Sequence, residues 1–455
     1  MSTQVFVASS AFGLATLAAA LDEGVFEPAD RRVLVLSNNA AVPETTAAVT
    51  DVAGVAELVQ RFDAVHDYNA AIAPQHPGQW KPRAEDLPVL ERYLSQRWGL
   101  TGDLRLVAEC LWVAPTLTLA RIFPDARIDT YADGLMSYGP TRSTVPTLVA
   151  SRIERLLHLD LVPGLTPVLL SEFGVPTQVI PTEAFRKVVA TLGPPPAVVA
   201  EAPAGSVAVL LGQYLAALEI VTPEEELALQ LEMVTGAVAA GFASLVFKPH
   251  PGAPPLLAGP LRAAAAELGA ELTVVDDPAL VETWFTAAAV GAVVGCFSTA
   301  QMTAASCYGL PAARVGTDLL LERLQPYQNS NRIPLTVVDA WLPHVRELGA
   351  AGRGAAPVVE VEALVRAVAY CMQPRRYPGL RPDAEALLGA RWPEVRRYFK
   401  RRRLGRLDLP GGLAPPPRPR RAGSPLLAVG RSVLGPTVSR QAGRLLRRLR
   451  SATQG

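Results

Sequence analysis

Short runs of consecutive apolar residues punctuate the first half of the chain: QVFVAS (4–9), RVLVLS (32–37), LRLVAEC (104–110) and ARIDTYA (126–132). Runs of this length, rich in β-branched residues, read as strands buried on both faces. Between them GLATLAAALDEG and PVLERYLSQRWG read as helices. Strands alternating with helices predict a parallel sheet covered on both sides. The pattern stops at TLGPPPAVVAEAPAGS (191–206), whose prolines exclude a central strand or a helix interior. It then restarts with strands at 206–212, 244–249, 271–275 and 290–295, separated by helical stretches such as PEEELALQLEMVTGAVAAG and LRAAAAELG.

The predicted architecture is therefore α/β, with two doubly wound Rossmann-like domains. One spans 1–190 and the other 206–399, the second ending in closing helices, with a Pro-rich linker at 191–205. Sheets of this kind bind ligands at the carboxyl ends of their strands, so two of them leave an interdomain cleft as the place for chemistry.

Composition supports a folded body, with 49% apolar and 19% charged residues over 455 positions. The four cysteines are scattered, without a CxxC pair or a neighbouring His at ligand spacing. Neither a disulfide framework nor a zinc site is expected, and a reducing, cytoplasmic setting fits. The N-terminal apolar stretch has no Lys or Arg before it and reads as a first strand rather than a signal peptide. No window is long enough for a membrane span.

The net charge of +1 hides an asymmetry. Residues 400–455 carry 14 Lys and Arg against Asp408 alone, a net of +13, which leaves −12 on residues 1–399. The Pro- and Gly-interrupted part, 400–422, is expected to be disordered. Beyond it VSRQAGRLLRRLRSA places Leu445, Leu446 and Leu449 on one helical face, with Arg444, Arg447, Arg448 and Arg450 around it. This basic amphipathic pattern suits an anionic membrane surface, here the inner face of the plasma membrane, or simply a solvated tail. Nucleic acid is not expected, because no aromatic residue follows Phe399 and the body is acidic.

Three strand ends carry candidate chemistry. In RIDTYADGLMSYGP a strand stops at Asp133-Gly134; taken alone, Asp-Gly is an ordinary turn dipeptide. In LVFKPHPGAP a buried strand delivers Lys248, Pro249 and His250, a pairing of cation and imidazole that suits a phosphate. In VVGCFSTAQ the last strand ends at Gly295 and a helix starts at Ser298 or Thr299. Such hydroxyls are common N-caps, and a helix N-terminus at a strand's carboxyl end also binds anions. A second His-Pro-Gly, at His76, lacks a preceding strand and a Lys and reads as a surface turn.

Taken together these stretches resemble the bacterial polysialyltransferase family and related bacterial sialyltransferases of the GT-B fold. The matching segments are YADG (131–134), KPHP (248–251) and the Ser298-Thr299 pair. LLGQYL, with Gln213 after Gly212, resembles the opening strand of that family's C-terminal domain. The family pattern has two consecutive acids before the Gly; this chain has Ala132 and then Asp133.

The resemblance implies an inverting sialyltransferase using CMP-sialic acid and a glycan or glycolipid acceptor. It implies Asp133 as general base and His250 on the leaving phosphate, with Lys248, Pro249, Ser298, Thr299, Gln213 and Gly134 on the donor side. No cofactor is expected. Metal independence is expected too, because a monophosphate leaving group needs no metal clamp and no DxD pair ends a strand; Asp276-Asp277 precedes Pro278 in a turn. Two other readings stay open. One is a CDP-linked polyol-phosphate transferase, although such enzymes usually place an acid before the Ser pair, where this chain has Phe297. The other is a non-catalytic GT-B-like nucleotide- or glycan-binding module, motivated by Ala132.

Overall fold

The computed structural model describes residues 1–40, 42–109, 111–132, 134–250, 253, 258–348 and 360–413. Among them β1 (Ser2–Ala8), β2 (Arg31–Leu36), β3 (Ala64–Asp67), β4 (Asp103–Ala108), β5 (Arg127–Ala132), β6 (Ile153–Leu159) and β7 (Thr177–Ile180) form one sheet. Its order is β3-β2-β1-β4-β5-β6-β7. A second sheet, ordered β10-β9-β8-β11-β12, contains β8 (Val207–Leu211), β9 (Ser244–Lys248), β10 (Glu271–Val274), β11 (Val290–Gly295) and β12 (Ala312–Arg314).

All strand pairings are parallel. In each sheet the strand order reverses beside the first strand, between β1 and β4 and between β8 and β11. This is the doubly wound arrangement, and each reversal opens a crevice at the strands' carboxyl ends. Two such sheets, with helices on their faces, make the GT-B architecture.

Apolar runs account for the central strands: Phe6, Leu34, Val107, Val209, Val246 and Val293 are fully or almost fully buried. The helix Ala11–Asp22 follows β1 directly, and Ser10 caps it by accepting from the Gly13 amide at 3.0 Å. It is almost entirely Ala and Leu because it is buried nearly all round, packed against the helix Thr182–Ala190.

Four strands escape the apolar pattern for physical reasons. β3 and β7 are partly exposed edge strands, β12 has only three residues, and β6 carries Glu154 and Arg155 just after its first residue. Those charges are satisfied sideways across the sheet. Asp129 on β5 is completely buried, with one oxygen 2.8 Å from Arg105 on β4 and the other 2.8 Å from Arg155 on β6, while Glu154 pairs with Arg105 at 2.7 Å.

The Pro-rich segment separates the two sheets and contains a one-turn helix, Ala197–Ala200, that starts after Pro196. Its Val199 is buried in the core beneath the second sheet with Val207, Val209 and Trp284. After β12 the chain runs through the helices Arg332–Trp341, Val361–Met372 and Arg381–Val395 and returns to the first domain. There Tyr377 Oη donates to Glu172, accepts from the Thr141 amide at 2.8 Å, and lies 3.0 Å from the Thr141 hydroxyl.

The basic segment differs from expectation at its start. Residues Arg401–Leu407 form a helix with Leu404 buried, instead of disordered chain. Cations at and just before its start are held by carbonyls: Arg403 Nε donates to Cys371 O at 2.8 Å and Lys400 Nζ to Glu322 O at 2.9 Å. The Leu445–Arg450 amphipathic pattern lies outside the described residues.

Asp129→Ala leaves two arginines facing an empty, buried site, and is expected to destabilise the protein by about 3–5 kcal/mol. Urea denaturation checks this, and an unchanged midpoint contradicts it.

Candidate active site

The second sheet supplies a rigid floor. After β11, Ser298 caps the helix Thr299–Tyr308: its Oγ accepts from the Ala300 amide at 3.2 Å, and its own amide donates to Gln301 Oε1 at 2.8 Å. Gln301 Nε2 donates to Ala313 O at 2.8 Å, which fixes the helix start against β12. Across the strand reversal, Gln213 Oε1 accepts from the Phe297 amide at 3.0 Å. The helix N-terminus, with its positive dipole end, therefore sits at the crevice between β8 and β11.

β9 brings Lys248, Pro249 and His250 to the same end. Lys248 already has an internal partner: its Nζ lies 2.7 Å from the Asp277 carboxylate and 2.9 Å from the Asp277 carbonyl, 4.9 Å from the Trp284 ring centroid. Asp277 also accepts from the Ala279 amide at 3.1 Å. This Lys thus braces the loop that carries Glu282 rather than pointing a free charge at a ligand. The Glu282 carboxyl is pushed up to about 7 by burial, with its own backbone amide and Lys248 pulling it back down. His250 packs on Tyr214, ring centroids 4.5 Å apart, and desolvation by the surrounding protein lowers its pKa while part of the residue stays exposed.

The first sheet supplies the opposite wall. Asp133 lies outside the described residues, between Ala132 at the end of β5 and Gly134. Gly134 O accepts from the Ser137 amide at 3.0 Å and the Ser137 hydroxyl at 2.9 Å, forming a tight turn. The next amide, Leu135 N–H, points across to Thr299 Oγ1 at 3.4 Å. The approach is so close that a Cβ on Gly134 would stand 3.1 Å from that hydroxyl. The Gly134-Leu135 turn and the Ser-Thr helix start are in contact, with Leu135 and Thr299 164 residues apart.

A cavity of about 390 Å³ between the sheets is lined by Ala132, Gly134, Gln213, His250, Ser298 and Thr299, with Glu109, Trp112, Arg142 and Tyr214. An adjoining one of about 290 Å³ is lined by Lys248, Pro249, His250, Glu282, Ser298 and Thr299. The described candidates therefore converge on two joined cavities. His76 stands apart, in a turn where its ring bonds to Ala40 O and the Gly78 amide. Sequence reasoning passed over Glu109, read as the tail of a strand, and Glu282. In each case the available signal was an acid embedded in an apolar run.

The model of the family described as alpha-2,8-polysialyltransferase matches residues 4–317. The chain belongs to the alpha-2,8-polysialyltransferase family. No curated protein matches it. Among solved structures it is similar to the GT-B domain of a sialyltransferase from Photobacterium damselae, at 12% identity and a TM-score of 0.39 over 74% of this chain and 96% of that one. It is also similar to MurG from Acinetobacter baumannii (10%, 0.39, 81% and 98%) and to UDP-GlcNAc 2-epimerase from Methanocaldococcus jannaschii (11%, 0.43, 81% and 100%). As an alpha-2,8-polysialyltransferase family member the protein is a glycosyltransferase, acting with a nucleotide-sugar donor and a glycan acceptor. Among the described residues no helix is long and apolar enough to cross a membrane, and no group of three or more His, Cys, Asp or Glu could hold a metal ion.

Glu282 makes stability pH-dependent. Its carboxyl titrates near 7 in the fold against an ordinary 4.5, so the folded protein keeps a proton that the unfolded chain releases. That contribution is complete below about pH 4.5 and is lost as pH rises through about 7. Denaturant midpoints across this range should show Glu282→Gln gaining on the parent as pH rises, by up to about 3 kcal/mol. Parallel curves contradict this.

Proposed function

We propose that this glycosyltransferase moves sialic acid from CMP-sialic acid to a glycan hydroxyl, with inversion and without a metal ion. The observation that carries the reading is the meeting of the β5 turn, His250 and the Ser298-Thr299 helix start around one interdomain cavity.

In a single displacement the bond from the anomeric carbon to the CMP phosphate oxygen breaks as the acceptor oxygen bonds to the opposite face. Asp133, the one carboxylate between Ala132 and Gly134, takes the acceptor's proton. A base so placed contributes about 10²–10⁴ in rate. The departing phosphate gathers negative charge beside His250 and the helix N-terminus. A neutral imidazole donates one N–H there, and the anion raises its affinity for a second proton. The positive dipole end of the helix that starts at Thr299 stabilises the same charge. One phosphate carries less charge than a diphosphate, so these groups suffice where a diphosphate would call for a cation.

The test is CMP release from CMP-sialic acid by the purified full-length chain over a panel of glycan acceptors, with and without chelator. The reading predicts acceptor-dependent release that chelator leaves unchanged and that Asp133→Asn reduces at least about a hundredfold with CMP binding retained. No release with any acceptor, or activity lost to chelator and restored by Mg²⁺, contradicts it.

A further inference from the structure

The helix Pro223–Ala239 that follows β8 starts at a capping box. The Glu225 amide lies 3.2 Å from Thr222 Oγ1, and the Thr222 amide lies 2.9 Å from the Glu225 carboxylate. Next in the chain, Glu226 accepts from the Leu215 amide at 2.8 Å and the Ala216 amide at 3.1 Å, so its carboxylate is spent on holding the loop after β8. Gln230 stands about one turn further along the same face of the helix. It is only 9% exposed, and its carboxamide has no hydrogen-bond partner among the described residues. An amide buried in this state costs free energy until a ligand supplies the missing bonds.

Gln230 lines a further cavity of about 360 Å³, walled also by Leu227, Phe247 and Pro249. This cavity shares Gln213, Tyr214 and His250 with the one between the sheets, so the stacked Tyr214-His250 pair borders both. Its chemistry narrows the occupant. No Lys or Arg is among the described lining residues, while Glu224 and Glu226 are, so a phosphate or a carboxylate is disfavoured. A lone carboxamide among apolar walls suits a neutral group that presents an acceptor, a donor and an apolar end. A sugar edge with an acylamino group beside a hydroxyl presents all three. A nucleobase edge presents the first two and leaves Leu227 and Phe247 without an apolar match.

We propose that this cavity takes the N-acyl arm of the transferred sugar, with Gln230 as the residue that recognises it. The acyl carbonyl accepts from Gln230 Nε2, a neighbouring sugar hydroxyl donates to Gln230 Oε1, and the alkyl end packs on Leu227 and Phe247. The sugar body stays on the other side of the Tyr214-His250 pair, where its anomeric carbon reacts. Gln230 is thus a specificity residue, apart from the groups that carry the chemistry. The inference rests on the transferase reading given above.

The experiment compares two donors, CMP-sialic acid with its N-acetyl group and the analogue with a hydroxyl in that place, in the parent and in Gln230→Leu. The parent should favour the N-acetyl donor at least about tenfold in kcat/KM for CMP release, since a site built around a hydrogen bond rejects the analogue that leaves it unpaired. Gln230→Leu should lower kcat/KM for the N-acetyl donor at least about fivefold and leave the analogue within about twofold, so that the preference collapses. CMP should bind both proteins equally. The ligand-free melting temperature of Gln230→Leu should equal or exceed that of the parent, because an unpaired buried amide is replaced by an apolar group. A second variant, Leu227→Phe, keeps the carboxamide and narrows the cavity. It should cost a donor with a longer N-acyl chain more than it costs the N-acetyl donor.

A parent that uses both donors equally overturns the proposal, as does a preference that survives Gln230→Leu. An equal loss on both donors with a lowered melting temperature marks Gln230 as a packing residue and overturns it too. Weaker CMP binding in Gln230→Leu assigns the cavity to the nucleobase instead. A parent that releases no CMP from either donor contradicts the transferase reading and this inference with it, whereas the other outcomes contradict this inference alone.

Discussion

The Leu135 amide reaching Thr299 Oγ1 at 3.4 Å joins the turn after β5 to the helix start after β11, and the geometry of the site follows from that contact. A single hydrogen bond of this kind is worth about 1 kcal/mol net and does not hold two domains together. Other contacts do. Tyr377 ties the returning chain to Thr141 and Glu172, Ser306 donates to Leu161 O at 2.8 Å, and Arg186 sits 5.5 Å from the Tyr308 ring centroid. With the domains clamped elsewhere, the contact at Thr299 sets position. Gly134 is what permits it, since a side chain there would push the turn away from the helix start.

The electrostatics of the cavity follow from which charges are already spent. Lys248, the obvious cation for a phosphate, is bound to Asp277 and lies over Trp284. Desolvation lowers the pKa of His250, and Glu282 is partly protonated near neutral pH. The attraction for an anion therefore comes mainly from the positive dipole end of the helix at Ser298 and from a proton that His250 acquires only when an anion arrives. Such a site favours a group that gains negative charge during the reaction over one that is already highly charged, which is the differential binding catalysis requires.

Much of this was legible in the sequence, for identifiable reasons. The central strands are doubly buried and thus read as unbroken apolar runs, and the Pro-rich stretch falls between the two sheets. The strand-end motifs could be located because each follows such a run. β6 was hidden because its charges are paired with Asp129 and Arg105, partners on other strands that no local window contains. The partner of Lys248 was hidden for the same reason: Asp277 lies 29 residues away, and nothing near Lys248 in sequence reveals the pair. That Glu109 lines the cavity could not be seen until β4 was placed next to β5. The helix Arg401–Leu407 was read as disordered because composition cannot show that its arginines cap nearby carbonyls.

The central claim is that the turn after β5 and the helix start after β11 form one ligand site. Hydrogen exchange of the full-length chain with and without saturating CMP tests it most directly. The account predicts slowed exchange in both segments together, at the Leu135–Tyr138 amides and at the Phe297–Gln301 amides, since one bound nucleotide closes the cleft between them. Protection confined to one of the two segments, or to neither, would contradict it.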